Sequence, residues 1–194
     1  MDSKKPIIIP NLEEVERERI RLSDRMRFGT LLRNTVFSLM VVAALAVLIA
    51  FLLMPVLRVS GDSMAPTMQD QDVVLLLKTD HFETGELCGF YWQNKLLLKR
   101  IIAGPGDTID IKDDGTVYVN GEALDEPYVK EKSLGDCDME FPYQVPDNKY
   151  FVMGDHRSVS IDSRNKVIGC VDKSQLVGKL WIRVWPLNRI GSVK

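Results

Sequence analysis

Ser63, in Ser60-Gly61-Asp62-Ser63-Met64-Ala65-Pro66-Thr67, and Lys99, in Leu97-Leu98-Lys99-Arg100, are the side chains whose types suit covalent chemistry. A serine hydroxyl is a weak nucleophile until a neighbour takes its proton, and a lysine amine can do so only where an apolar site keeps it neutral. The leucines around Lys99 could supply that site. Met64, Pro66 and Met68 add apolar bulk near Ser63, and Gly61 and Pro66 constrain the backbone, although a structural turn with an incidental serine reads the same way. Strand alternation through 96–102 puts Leu97, Lys99 and Ile101 on one face, with Leu98 and Arg100 on the other. The competing reading of Lys99 is a side chain whose stem packs while its ammonium reaches water.

A third polar segment, 153–164, holds Asp155, His156, Arg157, Ser158, Ser160, Asp162, Ser163 and Arg164. If it is functional, Ser160 orients the Lys99 amine, and Asp162 and Arg164 form a charge-assisted pair that holds the loop. A polar loop that binds nothing has a similar composition. His81 and His156 are the only histidines, so a Ser-His-Asp arrangement is the other chemistry to weigh. His81 falls in a polar turn and His156 follows Gly154-Asp155, which favours loop hydrogen bonding for both.

Elements must position these groups. The 194 residues, 45% apolar and 27% charged, suffice for one folded domain with appendages. The net charge of -2 is uneven: residues 1–33 hold 8 Lys/Arg against 6 Asp/Glu, and the rest hold 17 against 21. No basic footprint for nucleic acid follows. Residues 34–57 carry no charge and would rise about 36 Å as a helix, enough for a bilayer core of about 30 Å. We read a transmembrane helix there, after a cytoplasmic segment over 1–33 whose charge-interleaved residues 11–33 look helical. Six arginines from Arg17 to Arg33 precede it and only Arg58 lies close behind, which puts the N-terminus in the cytoplasm and residues 58–194 outside. A cleaved leader is the alternative, since Ala44-Leu45-Ala46 has a small-x-small form; the long segment before the apolar run and its continuation past Ala46 favour a retained anchor.

Beyond Arg58 the periodicity becomes that of strands, at 73–77, 87–92, 95–102, 108–112, 116–120, 150–153 and 178–185, separated by turn signals such as Gln93-Asn94 and Asn120-Gly121. The segment 107–121 reads as a hairpin with Ile109, Ile111, Val117 and Val119 on one buried face. The expected fold is mainly antiparallel β behind one N-terminal transmembrane helix. Residues 123–149, with three prolines among acidic side chains, read as an exposed excursion. Cys88, Cys137 and Cys170 are too few and scattered for a disulfide framework or a zinc site; one bridge would leave a thiol over.

Taken together, the Ser63, Lys99 and 153–164 segments, with Lys99-Arg100-Ile101-Ile102-Ala103-Gly104-Pro105-Gly106-Asp107, Val117-Tyr118-Val119-Asn120-Gly121 and Tyr150-Phe151-Val152-Met153-Gly154-Asp155, resemble the type I signal peptidases. The resemblance covers nearly everything from Arg33 on. It implies a membrane-anchored serine endopeptidase with a β-rich catalytic domain lying against the membrane, exported preproteins as substrates and the secretion machinery as a candidate neighbour. It also implies Ser63 as nucleophile, Lys99 as general base, Ser160 and Asp162 as supporting residues, and no metal or organic cofactor. Where some relatives place an oxyanion-binding serine, this chain has Gly61, which leaves the oxyanion to backbone N–H groups, that of Ser63 first. His156 and Val159 stand where the family usually has asparagines, and Gln71 replaces a common glycine. Met64, Met68, Tyr91, Trp92, Trp181 and Trp185 are candidates for contact with lipid, or for ordinary core packing.

Overall fold

A computed structural model describes residues 11–193. It divides between Ala50 and Phe51 into two units. The first is built on one helix, α1 (Leu12–Leu53), whose entry is marked by the Asn11 backbone N–H donating to Glu14. From Leu12 to Ala50 it is long and apolar enough, by length and composition, to cross a membrane, and that apolar stretch is unburied within the chain. The helix stops at Leu53, short of the expected end at Leu57. Pro55 is the physical reason, because the residue before a proline is steered out of the helical region and the ring removes a backbone donor.

The second unit is antiparallel β, as the alternating pattern requires. The end of the apolar run becomes its first strand, β1 (Val56–Arg58), which pairs with β2 (Val73–Leu77). The strands β3 (Leu87–Trp92) and β4 (Lys95–Ala103) follow, then β5 (Thr108–Ile111), β6 (Val117–Val119), β7 (Glu122–Ala123), β8 (Tyr143–Gln144), β9 (Lys149–Met153), β10 (Val171–Asp172) and β11 (Leu176–Trp185). A seven-stranded sheet runs β1-β2-β11-β3-β4-β9-β10, and a four-stranded sheet runs β7-β6-β5-β8. Gln93 and Asn94 carry φ of 44° and 61°, and Asn120 and Gly121 carry 53° and 84°. Two consecutive positive φ angles match the right-handed twist of the strands they join, which is why these dipeptides turn β3 into β4 and β6 into β7.

In the β5–β6 hairpin, Ile109 stands opposite Val119 and Ile111 opposite Val117. This face packs on Ile102, Phe151 and Met153 of the larger sheet. A second cluster joins Leu57, Val59, Met64, Met68, Leu76 and Leu98, and a third joins Phe90, Ile101 and Val152. Met64 and Met68 are therefore core residues, not candidates for lipid contact; their flexible thioethers fill the space beneath the turn that carries Ser63. Residues 123–149 are likewise not a simple exposed excursion. Tyr143 and Gln144 pair with β5, Val145 is buried, and Glu126 is drawn inside to neutralise Arg157. All three cysteines are free; burial pushes the Cys88 thiol up to about 12, so it is inert packing at neutral pH.

Candidate active site

Ser63 lies on the turn over residues 61–68 that joins β1 to β2. Local bonds shape the turn: Asp70 accepts from the Gly61 N–H at 2.9 Å, Asp62 O accepts from Ala65 N–H at 3.0 Å, and Met64 O accepts from Met68 N–H at 2.9 Å. Met64 and Met68 bury its underside. From across the fold, the Ser63 carbonyl accepts the His156 N–H at 3.1 Å, and Thr67 Oγ1 donates to Asp155 at 2.5 Å.

Lys99 enters from the middle of β4, opposite Cys88 of β3. Its Nζ donates to Ser63 Oγ at 2.7 Å, while the residue is only 4% exposed. Burial pushes the amine down to about 8; the Asp162 and Asp155 carboxylates pull it up, and the Arg164 cation adds to the lowering. A neutral amine at this distance can accept the hydroxyl proton rather than donate.

The loop after β9 packs against both groups. Gly154 is required there, because a Cβ would overlap the Ser63 carbonyl and Ser160 Oγ. Asp162 accepts the Gly154 N–H at 2.9 Å and is gripped by Arg164, Nε to Oδ1 and Nη2 to Oδ2, both at 2.8 Å. Burial works to raise the Asp162 carboxyl, but the hydrogen bonds and charge of Arg164, with Gly154 N–H, prevail and hold it below the usual range. Arg164 also donates to the carbonyls of Leu134 and Arg157 at 2.6 and 2.9 Å. Ser160 Oγ is buried and close enough to Asp162 to favour its ionised form, yet it makes no hydrogen bond of good geometry, to Lys99 or to any other described residue.

Sequence reasoning missed a second buried ion pair. Arg100 donates to Asp155 through Nε at 2.9 Å and Nη2 at 2.7 Å, reaches Gly85 O, and lies 3.8 Å from the Tyr128 ring centroid. The available signal was an arginine inside an apolar strand, which must find an anion if it is buried. Glu126, the partner of Arg157, had no such signal among its acidic neighbours.

Beside the dyad a groove of about 440 Å³ is lined by Leu57, Val59, Ser60, Ser63, Leu96, Leu98 and Lys99. Along it, β4 is paired with β3 but meets β9 only from Arg100 onward, so the other edge of Lys95 to Lys99 is open. Among the described residues no group of His, Cys, Asp and Glu is arranged to hold a metal ion.

A serine hydroxyl held against a buried amine on an antiparallel β unit has the parts of a hydrolytic site, and comparison with known proteins identifies the family. The profile described as signal peptidase, peptidase S26, matches residues 32–185. A signal peptidase I of Bacillus amyloliquefaciens is 37% identical over 168 residues, covering 81% of this chain and 90% of the relative. Signal peptidase I S of Bacillus subtilis (strain 168) is 35% identical over 165 residues, covering 79% and 89%. The crystal structure of a signal peptidase I from Enterococcus faecalis V583 aligns with 28% identity and a TM-score of 0.43, over 52% of this chain and 97% of that one. The chain belongs to the signal peptidase family, and it is a peptidase.

Proposed function

We propose that the protein is a membrane-anchored serine endopeptidase that removes N-terminal signal peptides from exported preproteins through Ser63 and Lys99. The observation that carries this reading is the 2.7 Å contact between Ser63 Oγ and a Lys99 amine buried to 4% exposure. Neutral Lys99 takes the Ser63 proton as Oγ attacks the scissile carbonyl carbon. Backbone N–H groups, that of Ser63 first, stabilise the tetrahedral oxyanion. The resulting ammonium returns the proton to the leaving amine, the C–N bond breaks, and an acyl-enzyme remains. Lys99 then deprotonates a water that attacks the ester, and its proton goes back to Ser63 Oγ as the signal peptide leaves. Asp162 and Arg164 support Lys99 by holding the loop against it, with Ser160 packed under Gly154.

The open edge of β4 offers backbone groups to an extended substrate, which would add as a strand with alternate side chains in the apolar groove. Residues 1–33 lie in the cytoplasm, the helix from Asn34 to Leu53 brings the chain through the membrane, and the β unit that begins with β1 works outside it. The arginine bias before the apolar run supports this orientation. Tyr91, Trp181 and Trp185 are about half exposed, and such amphipathic rings favour the lipid interface.

Incubating the full chain in detergent micelles with an unrelated exported preprotein tests the reading directly. Wild type releases the mature chain and Ser63→Ala does not; cleavage that survives in Ser63→Ala would sink the proposal. The pH profile follows from the same amine. With its proton leaving near 8, only about a tenth of Lys99 is neutral at pH 7. The rate constant kcat/KM should rise about tenfold per pH unit below that point and level off above it. A flat profile between about pH 6 and 9 would rule out an amine base.

A further inference from the structure

Gly61 brings no hydroxyl to the oxyanion, so the donor strength of the Ser63 N–H matters more than it otherwise would. That N–H makes no hydrogen bond among the described residues. The opposite end of the same peptide unit is held twice: the Asp62 carbonyl accepts the Ala65 N–H at 3.0 Å and lies 3.2 Å from His156 Nδ1. A carbonyl cannot donate, so Nδ1 carries the proton in this contact. The peptide between Asp62 and Ser63 is trans, and in a trans peptide C=O and N–H point in opposite directions. A hydrogen bond to the oxygen fixes the direction of the N–H and draws electron density away from it, which makes it a better donor.

We propose that His156 is a positioning residue for the oxyanion donor: through the Asp62 carbonyl, its Nδ1–H aims and polarises the Ser63 N–H. This rests on the Ser63/Lys99 reading above. The backbone of the same residue braces the other side of the nucleophile by donating to the Ser63 carbonyl at 3.1 Å, so one residue grips the peptide units before and after Ser63. His156 makes no hydrogen bond with Ser63 Oγ, which Lys99 occupies. It therefore acts from behind the peptide and not as a base.

Asparagine and glutamine separate these roles, because the asparagine amide nitrogen can take the place of Nδ1 whereas that of glutamine reaches the place of Nε2. The full chain in micelles, with its active fraction titrated by a serine-reactive probe, is compared as wild type, His156→Ala, His156→Gln and His156→Asn. His156→Ala and His156→Gln should lose about tenfold in kcat with KM changed less than about twofold, a smaller loss than deleting an oxyanion donor outright. His156→Asn should recover to within about threefold of wild type. A peptide aldehyde, which forms a tetrahedral adduct with Ser63, should bind His156→Ala about tenfold more weakly, while an unreactive peptide of the same sequence binds both proteins alike. Equal kcat in wild type and His156→Ala would overturn the proposal. So would a loss that asparagine does not repair, or one shared equally by aldehyde and unreactive peptide. Failure of the Ser/Lys reading is separate, since it appears as cleavage by Ser63→Ala.

Discussion

Lys99→Met is expected to abolish cleavage and, at neutral pH, to make the protein harder to melt. The two effects share one cause. General-base assistance and nucleophile activation are lost together, so kcat/KM should fall by at least about 10³-fold. The buried amine is also a folding penalty: its proton leaves near 8 in the native protein and near 10.5 when exposed. The unfolded chain thus holds a proton that the native state resists. This costs about 3 kcal/mol below pH 8, fades as pH rises toward 10.5 and is absent above it. Methionine fills similar space without a charge, so the gap in melting temperature between variant and wild type should be several degrees at pH 7 and close by about pH 10. Thermal melts of the full chain at both pH values, beside cleavage assays, check it. A variant that melts lower than wild type at pH 7 would mean Lys99 is not paying for burial, and retained cleavage would remove it as the base.

Arg164→Met should have the largest effect on stability. The guanidinium satisfies both oxygens of a fully buried Asp162 and the carbonyls of Leu134 and Arg157, and methionine replaces none of these donors. Breaking such a pair from one side costs about 3–5 kcal/mol, or roughly 10 °C in a unit of this size. The pH dependence also changes sign. With Arg164 present the Asp162 carboxyl is held below the usual range, so its stabilisation is complete above about pH 4 and lost as pH falls further. Without Arg164, burial dominates and raises the carboxyl, so the variant should be least impaired near pH 4–5 and worse as pH rises. A melting temperature at pH 7 within about 2 °C of wild type would show that the loop does not depend on this pair.

The strands Val73–Leu77 and Leu87–Trp92 were readable because their alternation and the Gln93-Asn94 turn act over a few residues. The same holds for the β5–β6 hairpin and its shared apolar face. The 24-residue uncharged run was readable as a helix but not at its end, because β1 exists only by pairing with β2, on the far side of the Ser63 turn. The acidic, proline-bearing stretch over 123–149 misled for a similar reason: Glu126 is buried by an arginine 31 residues away. Ser160, expected to orient the amine, instead sits under Gly154 and beside Asp162, a placement that depends on how closely the loop approaches Ser63.

By itself the amino-acid order determined the reagents and the local frame: a serine on a constrained turn, a lysine among leucines, a loop with paired charges, a run of membrane length, and strands divided by turn residues. Those features act through side-chain type and near-neighbour periodicity, which a linear chain already contains. Only the tertiary structure decided that residues 36 apart meet at 2.7 Å, that Met64 and Met68 face inward, that Arg100 and Arg157 find their acids, and that His156 stands behind the nucleophile. Proximity, desolvation and pairing arise when distant strands are brought into register, and burial there lets the Lys99 amine beside Ser63 lose its proton near 8.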